Sequence, residues 1–182
     1  MKPITIRNCF FLSSLVLSLI TLFPHQIAGS GLVEQVCEHS HNKTKCIESF
    51  NSNPTSEGAS LEQLGVLAIK LAVQNATYTS LYMQQFLGNQ TLDPAVQQAV
   101  SHCAEQYSNA SQELEDSIDA LSTDDRHTVF TWVSAAITNI ESCEDKLKES
   151  GSPDSVLLAR NAMFRFLCDN ALAINKILTS KH

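Results

Sequence analysis

Two groups of side chains in this sequence have the types and spacing for chemistry. Cys37, His39, His41 and Cys46 put two thiols and two imidazoles within ten residues, and Cys with His is a ligand set for zinc. The spacing is not that of a zinc finger, and in a secreted chain the two thiols favour a disulfide over a metal. The second group is carboxylates: Glu113, Glu115 and Asp116, and Glu144 with Asp145. Paired carboxylates do acid–base work where burial separates their pKa values, but on a helix surface such clusters are ordinarily a solvated face. No HExxH, CxxC or GxSxG motif and no phosphate-binding glycine loop occurs. The chain therefore reads as a non-enzyme with no cofactor and no metal, and its function falls to a surface.

Two stripes of polar residues are the candidates for that surface, although by periodicity alone they read more simply as solvated helix faces. Glu105, Asn109, Gln112 and Asp116 follow one another at three- and four-residue steps, and so do Thr138, Ser142, Asp145 and Glu149. Such steps put each set on one helix face. They flank Cys103 and Cys143, and a bridge between those two would make one rigid, acidic ridge.

The elements that position these residues are legible from apolar period and caps. Residues 57–180 read as four amphipathic helices. The first starts at Ser60, which forms a capping box with Gln63, and ends at Gly88. Its expected stripe is Leu61, Leu64, Ala68, Leu71, Tyr78, Tyr82 and Phe86, with a gap at Asn75. The second starts at Asp93–Pro94 and carries Val96, Val100, Cys103, Tyr107, Ala110, Leu114, Ser117 and Leu121. The third starts near Asp124, carries Phe130, Val133, Ile137, Ile140 and Leu147, and ends at Gly151. The fourth starts at Ser152–Pro153 and carries Val156, Phe164, Leu167, Ala171, Ile174 and Leu178. Short loops between long helices make successive helices antiparallel. The expected fold is an all-α, up-down-up-down four-helix bundle over 57–182. It is preceded by a helical hairpin at 31–56, with no sheet. Gly65, Ala68, Ala72, Ala95, Ala99 and Ala104, on or near the stripes, allow close helix approach.

The chain's start and its charge narrow the setting. Lys2 and Arg7 precede an apolar run from Cys9 to Phe23, ended by Pro24 and followed by Ala28, Gly29 and Ser30. That order is a secretory signal peptide, 1–30, cut after Ser30. The run is shorter than the ~20 residues of a spanning helix, so no membrane is expected for the mature form. Loss of Lys2 and Arg7 takes the net charge from −7 to −9. This excludes a nucleic-acid partner, which needs clustered cations, and suits a basic protein partner. Asn42, Asn75, Asn89 and Asn109 lie in Asn-x-Ser/Thr sequons.

Five cysteines remain after residue 30, and an odd number leaves one thiol over. Cys37 and Cys46 share the hairpin. Cys103 and Cys143 lie about equally far before and after the turn at 122–124, so on antiparallel helices they come level. The expected bridges are Cys37–Cys46 and Cys103–Cys143, with Cys168 a buried free thiol.

Several of these stretches together resemble one family. They are the Cys37/Cys46 pair; His102-Cys103-Ala104-Glu105-Gln106-Tyr107-Ser108-Asn109-Ala110; Val133-Ser134-Ala135-Ala136-Ile137-Thr138 leading to Ser142-Cys143-Glu144-Asp145; and Leu167-Cys168-Asp169-Asn170-Ala171-Leu172-Ala173-Ile174. The chain is similar to plant invertase and pectin methylesterase inhibitors. The resemblance implies the same hairpin, bundle and two bridges. It also implies stoichiometric inhibition of a plant cell-wall carbohydrate-active enzyme in the apoplast. A polar face of the bundle would lie across the open active-site cleft of a β-helical pectin methylesterase. The Pro-Lys-Phe motif associated with invertase inhibitors is absent, and Leu167-Cys168-Asp169 is similar to esterase inhibitors. Pectin methylesterase is therefore the expected target, with acid invertase the alternative and a structural wall protein the second alternative. Asn109 and Gln112 stand where esterase inhibitors can carry acids.

Overall fold

The structure, a computed structural model, describes residues 26–88, 91–151 and 154–180, with side chains from residue 31 onward. Among the described residues the regular elements are helical. Helices α1 (Gln26–Cys37) and α2 (Lys43–Asn51) form a hairpin, and a 3-10 turn at Pro54–Ser56 leads on to α3 (Leu61–Leu87), α4 (Pro94–Ser122), α5 (Arg126–Glu149) and α6 (Ser155–Thr179). Most of the expected signal segment lies outside the described residues. Helix α1 begins at Gln26, so the expected cleavage point after Ser30 falls inside it.

Each bundle helix starts where a short polar side chain satisfies free backbone N–H groups. Ser60 and Gln63 form the reciprocal capping box of α3. Asp93, Asp125 and Asp154 accept from the backbone N–H of Ala95, Thr128 and Leu157 at the starts of α4, α5 and α6. Helix α5 starts later than the sequence suggests because Asp124 adopts φ 62°, outside the helical region. The expected start of the last helix, Ser152–Pro153, lies outside the described residues. Gly151, at φ 76°, ends the α5 side of that turn.

Contacts between helix ends establish the topology. A Cβ on Gly65, near the start of α3, would meet Leu121 at the end of α4 at 3.1 Å and Ile174 of α6 at 3.4 Å. The Tyr82 hydroxyl, near the end of α3, donates to Asp154 at the start of α6 at 2.9 Å. The Asn175 amide, late in α6, donates to the carbonyl of Arg126 at the start of α5 at 2.9 Å. The Cys103–Cys143 bridge joins the early part of α4 to the late part of α5. All four neighbouring pairs therefore run antiparallel, which is the up-down-up-down bundle.

One core runs through bundle and hairpin, with Val33, Val36, Cys37, Cys46 and Phe50 in the same cluster as the bundle's apolar residues. Every residue of the expected α4 stripe is buried. The α3 stripe needs correction. Leu71, Tyr82 and Phe86 are half-buried and Tyr78 is 57% exposed, while Ala72, Ala76, Thr79 and Met83 face the core. Small side chains there let α3 approach its neighbours closely. Tyr82 instead sits at the α3–α6 edge, where its hydroxyl has a partner and the Arg160 guanidinium lies 4.9 Å from its ring centroid. At the starts of α5 and α6, Phe130 and Val156 are exposed, and Val129 and Leu157 take the core positions. Later in α5, Ile137 is half-buried and Ala136 takes the interior.

Candidate functional site

The candidate site is the outer face of the α4–α5 pair, and its geometry starts from the bridge. Cys103 and Cys143 are fully buried with Cα atoms 4.5 Å apart. Just outside the sulfurs, His102 Nε2 lies 3.1 Å from Ser142 Oγ. Further along the same seam the Asn139 amide donates to Glu113 at 2.7 Å. Burial holds the half-buried Glu113 carboxyl above its ordinary pKa, against the opposing pull of the Asn139 amide. One covalent and two polar ties thus fix how α5 sits against α4.

Both polar stripes face outward beside this seam. Glu105, Asn109, Gln112, Thr138, Ser142, Asp145 and Glu149 are exposed and Asp116 is half-exposed. The register set by Cys103 opposite Cys143 puts Glu105 and Asn109 level with Thr138 and Ser142. From there the stripes diverge. Asp116 lies toward the α4–α5 turn and Glu149 toward the opposite end, roughly 28 Å apart along the axis at 1.5 Å per residue. The ridge is therefore long and stepped, with its stripes side by side only at its centre.

Its charges are partly compensated. The Lys148 ammonium sits 3.2 Å from Glu144 and 3.5 Å from Asp145, and Lys146 lies 2.9 Å from Glu149. The Glu144 carboxylate also holds Arg165 of α6 at 2.7 Å. The Gln112 amide donates to Asp116 at 3.0 Å. The carboxylate groups picked out in the sequence are thereby separated by role. Glu144 ties α5 to α6 and Glu113 closes the α4–α5 seam. Asp145 and Asp116 are ridge residues, and Glu115 lines a groove toward Tyr78 of α3. None of these arrangements pairs two carboxylates around a cleft.

The hairpin cysteines are joined as Cys37–Cys46, Cα atoms 5.6 Å apart, so both thiols of the possible zinc set are consumed. His39 and His41 line a groove of about 1020 Å³ with Arg126, His127, Phe130 and Lys176, which the sequence pattern did not single out. Cys168 is free and fully buried, and burial pushes its thiol well above the ordinary range, the state of an inert core residue. Of the sequons, Asn42 is exposed and caps α2 through its side-chain oxygen, and Asn109 is exposed. Asn75 is half-buried, its side-chain oxygen enclosed without a partner, and Asn89 lies outside the described residues.

A buried polar relay behind the ridge also escapes the apolar pattern. The Tyr107 hydroxyl donates to Asn161 Oδ1 at 3.0 Å, and Asn161 Nδ2 lies 3.5 Å from Cys143 Sγ. The Tyr107 ring packs edge-on against Phe164 at 5.5 Å. Burial raises the Tyr107 phenol far above its usual pKa, so it stays a neutral donor. The available signal was Asn161 itself, a polar residue three positions before Phe164 on the apolar face of α6.

Comparison with known proteins places this arrangement. A pectinesterase inhibitor of Actinidia deliciosa is 27% identical over 164 residues, 90% of this chain and 88% of that protein. Pectinesterase inhibitor 1 of Arabidopsis thaliana is 27% identical over 173 residues, 95% of this chain and 96% of that protein. A Platanus acerifolia protein provisionally named an invertase inhibitor is 27% identical over 172 residues, 93% of this chain and 95% of that protein. The crystal structure of a mutant pectin methylesterase inhibitor from Arabidopsis superposes with a TM-score of 0.69 at 25% identity, covering 78% of this chain and 93% of that one. The sequence profile described as plant invertase/pectin methylesterase inhibitor matches residues 31–174. With its hairpin, helical bundle and two bridges, the chain belongs to the plant invertase/pectin methylesterase inhibitor family.

Proposed function

We propose that this chain is a secreted inhibitor of pectin methylesterase that lays its α4–α5 ridge across the enzyme's active-site cleft. The observation that carries the reading is the stapled seam. His102–Ser142 and Glu113–Asn139 flank a ridge presenting Glu105, Asp116, Ser142, Asp145 and Glu149 to solvent. A face whose backbone is fixed by a disulfide and polar ties loses little conformational entropy on binding. Its exposed acids give electrostatic complementarity to a basic rim, which acts mainly on association rate and specificity. Inhibition then consists of excluding substrate, with no covalent step.

Acid invertase is the second reading, and one observation favours it. The Platanus acerifolia relative named for invertase inhibition matches this chain at 27% identity over 93% of its length, level with the pectinesterase inhibitors. The deciding experiment titrates purified protein against pectin methylesterase and against acid invertase at matched pH. The proposal expects stoichiometric loss of esterase activity, weakened by added salt because exposed charges are screened. Inhibition of invertase alone moves the assignment to the second target. Inhibition of neither enzyme refutes both.

A further inference from the structure

The sequon at Asn109 falls at the centre of the ridge, where the two stripes lie side by side. Asn109 is exposed, and its amide makes no hydrogen bond to any described residue. Ser111, the third residue of the sequon, is half-buried and spends its hydroxyl on the carbonyl of Tyr107 at 2.9 Å. The folded helix therefore leaves the Asn109 side chain free to carry a bulky group at no cost in packing. The other described sequons differ. Asn75 has its side-chain oxygen enclosed, and Asn42, at the hairpin tip, is exposed but uses its side-chain oxygen to cap α2.

We propose that Asn109 is an N-glycan acceptor and that its glycan covers the middle of the ridge, dividing the secreted chain into a covered and a bare form. This rests on the proposed secretion and on the ridge as the binding face. In the secretory pathway the unfolded chain meets a lipid-pyrophosphate-linked oligosaccharide. The Asn109 amide nitrogen forms a bond to the first sugar carbon and loses a proton. The sugar–pyrophosphate bond breaks, and the lipid pyrophosphate leaves. Once α4 has formed, Glu105 lies about 6 Å and Asp116 about 10 Å along the helix from the attachment point. A branched, hydrated glycan sweeps over both, and a bulky surface modification of this kind excludes a protein partner. Glycan occupancy, rather than any change of fold, would then set how much of the protein inhibits.

The test uses the full chain secreted from plant cells, beside Ser111→Ala, which removes the sequon and leaves every ridge residue in place. Glycopeptide mass spectrometry reads occupancy at Asn109. Carbodiimide labelling of carboxylates reads coverage, with exposed Glu57 as the remote control. Labelling of Glu105 should be at least threefold lower in the glycosylated form than in Ser111→Ala, with Glu57 unchanged. Trimming the wild-type glycan to its first sugar should restore it. The glycosylated form should inhibit at least tenfold more weakly than Ser111→Ala. An unoccupied Asn109, equal labelling of Glu105, or equal inhibition by both forms would overturn the proposal. If neither form inhibits either enzyme, the inhibitor reading fails, and occupancy and labelling still decide whether the ridge is covered.

Discussion

His102 and Ser142 are hydrogen-bonding partners across the α4–α5 seam at 3.1 Å, and each immediately precedes one cysteine of the Cys103–Cys143 bridge. The covalent link and the polar contact therefore specify the same register. A slide of one helix against the other would have to break both, and this register decides which residues of the two stripes stand side by side.

The bridge accordingly adds to the stability that the buried core gives this face. In the chain-entropy model, closing a loop with a sequence separation of 40 contributes about 4 kcal/mol. Urea unfolding of the Cys103→Ala/Cys143→Ala double variant should show a loss of that order. Non-reducing peptide maps of the wild type should show Cys103 joined to Cys143 and Cys37 to Cys46, with Cys168 alkylated only after unfolding.

The relay behind the bridge gives a separate prediction. Tyr107→Phe keeps the ring against Phe164 but strands the Asn161 carbonyl in a buried site. Leaving such a group without its donor costs about 1–3 kcal/mol. The variant should melt at lower temperature yet inhibit its target as wild type does, because nothing on the ridge has moved.

Glu113 sets a pH dependence with a definite sign. Its folded pKa is raised by burial, so between the ordinary carboxylate value and the raised one the folded chain binds more protons than the unfolded chain. Stability from this group then falls as pH rises through that window. Glu113→Gln keeps a polar partner for Asn139 and removes the titration. Measured from pH 4 upward, the variant should gain stability relative to wild type as pH rises. A constant difference across the window would show that burial of Glu113 is not felt.

How far the sequence alone reaches is clearest by comparing α4 with α3. In α4, one run of Val96, Val100, Cys103, Tyr107, Ala110, Leu114, Ser117 and Leu121 is the buried face, because few other apolar residues compete with it. In α3 apolar residues occur almost all the way round, and size misleads. Tyr78 is large and exposed, whereas Ala72 and Ala76 are small and buried because the helices approach closely there. Phe130 and Val156 show the same ambiguity, since each has an apolar neighbour, Val129 or Leu157, that takes the core position. The ridge residues were legible as stripes, and the cysteine spacing indicated how those stripes align. His102, Glu113 and Asn139 were not legible as seam residues, because a polar contact between helices leaves no periodic trace in either one. The groove between the hairpin, the start of α5 and the end of α6 joins His39 and His41 to residues at 126 and beyond, a separation that no local pattern records.

If the α4–α5 ridge is the inhibitory face, a charge reversal at Asp145 will show it. Its side chain is 74% exposed, and its 3.5 Å contact with Lys148 is duplicated by Glu144 at 3.2 Å. Asp145→Arg should therefore change stability by about half a kcal/mol or less. At the proposed interface it would replace attraction with like-charge repulsion against a basic rim, which costs several kcal/mol. The measurement is a titration of pectin methylesterase with wild type and Asp145→Arg, alongside thermal melts of both. The melts should match and inhibition should be at least tenfold weaker, a difference of about 1.4 kcal/mol or more. Equal inhibition by a normally folded Asp145→Arg would contradict this and move the binding face off the α4–α5 pair.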